Sequence, residues 1–279
     1  MTPSRILRVS RVVAELARAE AFYRDALAFR TVERGSTDAT VLAVLGAGAA
    51  AEIVMRLGAQ EIALVRFAAP GRPYPADSHS NDLWFQHLAI VVDDIDAAYA
   101  HLAAQSGWRP ISENGPELLP PETGGVRAFK FRDPDGHPLE LIWFPEGEGR
   151  PVWHRRGAAS PFLGIDHSAL AVTSTSRSLD FYRALGLKVD TRSLNQGPAQ
   201  SRLDGLAGTR VRVTGLRPGA PESMGLELLA YRPPGRRAEA IGANDIQTDW
   251  VTLGVGPLAG GMPQARRDPD GHLMILVDQ

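Results

Sequence analysis

The sequence predicts an α+β protein assembled from tandem copies of one small unit. Three observations carry this. The string Phe22-Tyr23-Arg24 returns as Phe181-Tyr182-Arg183. The string Asp133-Pro134-Asp135-Gly136-His137 returns as Asp268-Pro269-Asp270-Gly271-His272. Around each string the apolar spacing switches from strand-like to helical and back. Each half of the chain opens with one signature and closes with the other.

Taken in order, residues 9–16 are an apolar stretch, and residues 17–27 carry apolar side chains at helical spacing up to Phe22-Tyr23. A second copy begins near Phe85. His87 opens a buried strand, Asp93 and Asp94 supply a cap, and residues 95–104 read as a helix. Asp-Pro-Asp-Gly is tight-turn chemistry, since Pro presets φ and Gly accepts φ > 0. It joins two β-like runs, 128–132 and 139–144. In the third copy, residues 165–172 alternate, 173–176 hold a cap, and 178–185 read as a helix. The fourth is shortened: about a dozen residues separate the strand at 250–255 from the second turn, so a helix and a strand are missing.

The breaks are rich in Pro, Gly and Ser: 68–81, 145–164 and 232–244, with the second as the mid-chain linker. The units are then 5–67, 83–145, 164–231 and 245–279. They group along the chain as two domains, 1–148 and 160–279. Residues 112–125 form a long loop with the features of a lid.

Composition narrows the function. The 279 residues carry a net charge of −2 without a basic tract, which argues against nucleic acid as a partner. There is no cysteine, so disulfides and thiolate metal sites are excluded. Any metal must be held by His or oxygen ligands, which suit Mn, Fe, Co, Ni or Zn. No segment reads as a signal peptide or an apolar span, so the expectation is a cytoplasmic protein without a membrane partner. The exposed flank left by the short fourth unit suggests a homodimer.

A strand, a helix ending in Phe-Tyr and a hairpin closing at Asp-Pro-Asp-Gly-His-x-Leu-Glu-Leu together resemble the βαβββ module of the vicinal oxygen chelate superfamily, which includes glyoxalases, extradiol dioxygenases and bleomycin-resistance proteins. The resemblance covers nearly the whole chain and implies two half-barrel sheets. In that family two modules surround one divalent metal ion, with ligands from the first and last strands of each. The resemblance places His87 and Glu140 at these positions in module two, and His167 and Glu227 in module three. Modules one and four depart from it. Arg8 and Ala63 stand at the ligand positions of the first, and Trp250 and Ile275 at those of the fourth. Pairing as 1+2 and 3+4 gives each barrel half a site. Pairing as 2+3 and 1+4 gives one complete site and one blank, and the uneven loss of ligands favours this second arrangement.

Two imidazoles and two carboxylates neutralise a divalent cation and leave two positions for a chelating substrate. The resemblance then implies a lyase or isomerase of the glyoxalase or epimerase kind, acting on a small oxygenated substrate, with Glu140 or Glu227 as the base. An extradiol dioxygenase with Fe(II) or Mn(II) is the alternative, and a non-catalytic drug-binding protein a second one. Substrate contacts are expected from Lys130 and Arg132 on the strand before the hairpin, and from Asn195, Gln200 and Arg202 on a strand of module three. Trp84, Trp108 and Trp143 read as core or rim. His137 and His272 read as turn or surface residues, and His79, His101 and His154 as loop or helix-face residues.

Overall fold

The computed structural model describes residues 4–154, 160–238 and 240–278; residues 155–159 of the expected linker lie outside these. Module one comprises β1 (Arg5–Val12), α1 (Leu16–Leu27), β2 (Arg30–Ser36), α2 (Ala39–Leu45), β3 (Ala50–Leu57) and β4 (Gln60–Phe67). Module two comprises β5 (Gln86–Val92), α3 (Ile95–Ala103), the short strands β6 (Arg109–Pro110) and β7 (Glu117–Leu118), β8 (Arg127–Arg132) and β9 (Pro138–Trp143). Module three comprises β10 (Phe162–Ala171), α4 (Thr175–Ala184), β11 (Lys188–Gln196), α5 (Pro198–Asp204), β12 (Arg210–Arg217) and β13 (Gly225–Tyr231). Module four has only β14 (Asp249–Val255), β15 (Gln264–Arg267) and β16 (Leu273–Asp278). A 3-10 turn at Ala259–Gly261 stands where its helix would be, so the shortening expected from the sequence is present.

Local chemistry accounts for the helices. In α1, Ala19, Phe22, Tyr23, Ala26 and Leu27 are buried at three- and four-residue intervals, so one face meets the core. The Asp94 side chain caps α3 by accepting from Asp96 N (3.0 Å) and Ala97 N (2.9 Å). Ser174 plays the same part for α4. Residues 198–204 depart from expectation. Pro198 at the first turn and Gly197 at φ 94° start a helix, α5, where a continuing strand was expected.

Two sheets result. The seven-stranded sheet runs β15-β16-β14-β1-β4-β3-β2, and the nine-stranded one β11-β12-β13-β10-β5-β9-β8-β6, with β7 beside β8. The first sheet therefore joins modules one and four, and the second joins two and three. Inside every module the first and last strands are parallel: β1/β4, β5/β9, β10/β13 and β14/β16. Between modules the first strands are antiparallel: β1/β14 and β5/β10. A shared core takes Ile6, Val9, Ile62, Leu88, Ile90 and Leu228 from both sheets with Tyr23, Leu102 and Tyr182 from the helices.

The recurring strings clasp modules that lie in different sheets. Tyr23 Oη donates to Asp133 Oδ2 (3.0 Å), and Tyr182 Oη donates to Asp268 Oδ2 (3.1 Å). The same aspartates hold their own turns. Asp133 Oδ1 accepts from the backbone of Asp135 and His137, and Asp268 Oδ1 from Asp270 and His272, each at 2.9 Å. Gly136 and Gly271 close these turns at φ 100° and 103°, a region that disfavours any side chain.

His137 and His272 are not the turn or surface residues the sequence suggested. They are 0% and 7% exposed. His137 Nε2 donates to Val12 O and His272 Nε2 to Ala171 O, both at 2.8 Å. Each imidazole satisfies a carbonyl at the end of a strand in the neighbouring module, which explains its burial. Around the first clasp, fully buried Arg11 donates to Tyr23 Oη (3.0 Å) and Pro138 O (3.0 Å) and pairs with Asp249 (3.2 Å).

Removing one partner of a buried hydrogen bond costs about 1–3 kcal/mol. Tyr23→Phe and Tyr182→Phe are each expected to lower unfolding stability by about that amount in urea titration. Tyr23→Phe is the larger of the two, because Arg11 loses an acceptor as well. No change in either variant would show that the clasps contribute nothing.

Candidate metal centre

The β5/β10 ladder sets the geometry. It pairs His87 with Ala169, and Ala89 with His167. Across the parallel ladders, Ala89 faces Glu140 and Ala169 faces Glu227. Side chains two apart on a strand share a face, so all four functional groups project from one side around a local two-fold axis. The residues between them, Ala89 and Ala169, are fully buried and one carbon long. They leave room for a cavity of about 500 Å³, which His87, Glu140, His167 and Glu227 line.

A β-bulge adds a fifth group. The ladder runs Ile165↔Ile90 and then His167↔Ala89, so Asp166 has no partner and its side chain also turns to the cavity. His167 Nδ1 donates to Asp166 Oδ2 at 3.0 Å. Trp153 Nε1 (2.9 Å) and Arg217 (3.3 Å) hold the other carboxylate oxygen. A carboxylate on the far ring nitrogen fixes which nitrogen of an imidazole faces a metal. Sequence reading missed Asp166 because a residue next to His167 normally points to the opposite face.

The distances are short. His87 Nε2 donates to Glu140 Oε2 at 3.1 Å. His167 Nε2 lies 3.3 Å from Glu227 Oε2 and 3.9 Å from Glu140 Oε2, yet it is buried and has no hydrogen-bond partner among the described residues. One donor atom from each of His87, Glu140 and His167 lies within 4.8 Å of the others, close enough to hold one metal ion. Two imidazoles and two carboxylates, with the His167 ring nitrogen aimed between the carboxylates, are a donor set that fits a divalent ion.

The electrostatics break the symmetry. Burial drives His87 down to about 4 despite Glu140 beside it, so it is neutral at pH 7. Burial also opposes charge on His167, but Glu227, Asp166 and Glu140 outweigh it and raise the group to about 9. Burial raises a carboxyl, yet His87 and Lys130 hold Glu140 at about 2. Burial and the neighbouring Asp166 and Glu140 charges raise Glu227 against the pull of His167.

The seven-stranded sheet repeats the frame without the ligands. Arg8 pairs with Thr252 and Ser10 with Trp250, while Ser10 faces Ala63 and Thr252 faces Ile275. Arg8, Ala63, Trp250 and Ile275 thus occupy the four ligand positions. Trp250, Ala63 and Ile275 are at most 1% exposed and pack with Val41 and Leu45 of α2. Arg8 is tied to Glu52 at 3.2 Å. The second cup is a small apolar core.

Of the residues expected to touch substrate, Lys130, Asn195 and Gln200 line the cavity. Arg132 and Arg202 do not. Arg132 donates to Gly136 O (2.8 Å) and Ser78 O (2.6 Å), stacks over Tyr74, and lines a separate, smaller cavity. Arg202 is on the helix α5, where it grips both oxygens of Glu117 at 2.7 Å. That bidentate pair ties the 112–125 loop to module three. Trp84, Trp108 and Trp143 are half-buried at the edges of apolar clusters. His79, His101 and His154 are exposed and do not line the cavity.

Comparison with known proteins agrees with this frame. The profile of the Glyoxalase/Bleomycin resistance protein/Dioxygenase superfamily matches residues 5–141. A 2-epi-5-epi-valiolone epimerase from Actinomyces sp is 36% identical over 149 residues, spanning 50% of this chain and 79% of that protein. The chain belongs to the glyoxalase/bleomycin resistance/dioxygenase superfamily. Among solved structures, glyoxalase I from Zea mays superposes with a TM-score of 0.59 at 18% identity, covering 99% of this chain and 92% of that one. A putative dioxygenase from Bacillus subtilis superposes at 0.58 with 13% identity, covering 98% and 84%. At these identities the likeness is one of fold.

Two expectations follow. In protein stripped of metal by a chelator, imidazole NMR at pH 7 should show His167 protonated and His87 neutral. His167 is raised on folding, so its contribution to stability is complete below the unfolded value of 6.5 and is lost as pH climbs through about 9. Two imidazoles titrating together near 6.5 would contradict this. Asp166→Asn should weaken metal affinity by about 10–100-fold with the fold intact; unchanged affinity by metal titration would remove Asp166 from the site.

Proposed function

We propose that this chain is a divalent-metal-dependent enzyme of the lyase or isomerase kind, which moves a proton on the carbon beside a carbonyl of a small oxygenated substrate. One observation carries the reading. The buried Nε2 of His167 makes no hydrogen bond of good geometry among the described residues and stands 3.3 and 3.9 Å from the carboxylates of Glu227 and Glu140, with His87 completing the set. His87, Glu140, His167 and Glu227 would hold the ion, of the Mn, Fe, Co, Ni or Zn type. A bound ion would act as a Lewis acid toward two adjacent substrate oxygens.

The residues divide the remaining work. Glu140 is wedged between both imidazoles and its side chain is 8% exposed, so it is the fixed carboxylate. Glu227 pairs with one imidazole, that of His167, among the described residues, and its side chain is 24% exposed. It has the freedom to take and return a proton, and is the general base of this proposal. His167 is held in one tautomer by Asp166. The 36%-identical relative named as an epimerase supports proton transfer as the reaction. A second reading has one observation in its favour. His87, His167 and Glu140 form a two-histidine, one-carboxylate set, which suits oxygen-activating Fe(II) chemistry.

The test has three readouts. Metal content of the purified protein should be near stoichiometric, and should fall in His87→Ala/His167→Ala; a content unaffected by the double substitution sinks both enzyme readings. Glu227→Gln should keep its metal while losing about 10²–10⁴-fold in solvent deuterium exchange at an α-hydroxy ketone. Glu140→Gln should lose the metal itself. Oxygen uptake with catechols by the Fe(II)-loaded protein would replace the proton-transfer reading with the oxygenase one.

A further inference from the structure

The smaller cavity, of about 230 Å³, lies at the seam of modules two and three and takes Ser78, His79, Ser80, Arg109, Arg132 and Asp204 into its lining. Arg109 and Arg132 stand directly opposite one another in the β6/β8 ladder, so they share a face. Like charges in that position repel. Neither forms an ion pair with a carboxylate among the described residues. Arg132 is 8% exposed; it donates to the carbonyls of Gly136 (2.8 Å) and Ser78 (2.6 Å) and lies over the ring of Tyr74, a neutral phenol with its pKa pushed up to about 12 by burial. None of these contacts carries a charge to offset the guanidinium. Arg109 is exposed. The acceptors around this cavity are already used. Both oxygens of Asp204 are taken from the side of the metal cavity, by Lys130 Nζ (2.6 Å) and Gln200 Nε2 (2.8 Å), and its carbonyl accepts from Ser80 Oγ (2.8 Å). Ser78 Oγ accepts from Trp84 Nε1 at 3.0 Å. Asp77 and Asp82, which flank the 78–80 segment, are held by Arg236 at 2.7 and 2.8 Å. The groups left to meet a ligand are donors: two guanidinium forks and the His79 ring.

The geometry points to an anion site between Arg109, Arg132 and His79, for a phosphate dianion that is either free or the terminal group of a small monoester. A tetrahedral dianion offsets both guanidinium charges at once and accepts from both forks, a pairing for which guanidinium is well shaped. Other ligands fit less well. A cation would meet two positive charges. An apolar molecule would cover both guanidinium groups without pairing either. A monocarboxylate would offset one charge of the two. Ala76, Pro110 and Ile111 form an apolar side of the same cavity, which suits a short organic group on the phosphate. The site does not rest on the proposed metal chemistry, since none of His87, Glu140, His167 and Glu227 lines it.

Calorimetry on the purified chain at low salt tests this with inorganic phosphate, ethyl phosphate and acetate. Phosphate is expected to bind about tenfold or more tightly than acetate, and Arg109→Ala to remove about that factor, equivalent to about 1.4 kcal/mol. Arg192→Ala is the control, because Arg192 borders the metal cavity, where arginines could also attract an anion. It should leave phosphate affinity unchanged. Loss of affinity in Arg192→Ala but not in Arg109→Ala puts the anion in the metal cavity and overturns the site. Phosphate binding no tighter than acetate, or insensitive to Arg109→Ala, overturns it as well. Tighter binding of ethyl phosphate than of inorganic phosphate identifies a monoester as the ligand, and the reverse order the free ion; both uphold the site. A thermal readout guards against a folding defect. Arg109→Glu places a carboxylate opposite Arg132, so it should keep or raise Tm while phosphate no longer raises it as it does in the unsubstituted chain. A lowered Tm in Arg109→Glu would show that the two charges are not left uncompensated, and would overturn the argument for an anion.

Discussion

The antiparallel ladder between β5 and β10 is the constraint on which the site depends. Its register sets His87 opposite Ala169 and His167 opposite Ala89, two residues apart on one face. A slip of one residue would turn every one of these side chains to the opposite face. The parallel ladders then repeat one offset in both modules, so that Glu140 and Glu227 arrive from the flanks. Backbone hydrogen bonds thus converge four titratable side chains that would otherwise repel or demand water. Alanines at the two central positions keep the floor of the cup low.

The halves of the chain are held by a different bond type from the sheets. Each tyrosine of a Phe-Tyr helix reaches the first aspartate of the next module's turn, and each turn histidine reaches back to a strand carbonyl. These clasps join modules one to two and three to four, while the sheets join one to four and two to three. Every module is consequently bound to two others by different surfaces. The Arg11 cluster sits at one such junction, where a buried guanidinium is acceptable because Tyr23, Asp249 and two carbonyls surround it.

The same frame built twice has two outcomes because different side chains stand at its equivalent positions. In one cup, polar groups converge and carry matching counter-charges. In the other, Trp250 and Ile275 fill the space and α2 closes over it. Within the polar cup the two-fold symmetry of the backbone is broken by second contacts. Asp166 supports His167, while His87 Nδ1 has no hydrogen-bond partner among the described residues; Lys130 stands by Glu140, while Glu227 is nearer solvent. Equivalent positions in the repeat are therefore not chemically equivalent.

Repetition, turn chemistry and the uneven survival of His and Glu were legible in the chain, because they are local strings whose spacing survives without neighbours. They were enough to mark the four units, the truncation of the last, and the positions of His87, Glu140, His167 and Glu227. What stayed hidden depends on partners far away in sequence. The burial of His137 and His272 is decided by carbonyls of other modules. Arg132 and Arg202 look like cavity residues until Ser78 and Glu117 engage them. Asp166 reaches His167 only because a bulge turns it. The sequence by itself determined the units, since periodicity and turns are properties of short segments. The uneven distribution of His and Glu favoured the pairing of modules two with three, but only the tertiary structure decided it and the partners of the buried polar atoms, since both depend on hydrogen bonds between residues far apart in the chain.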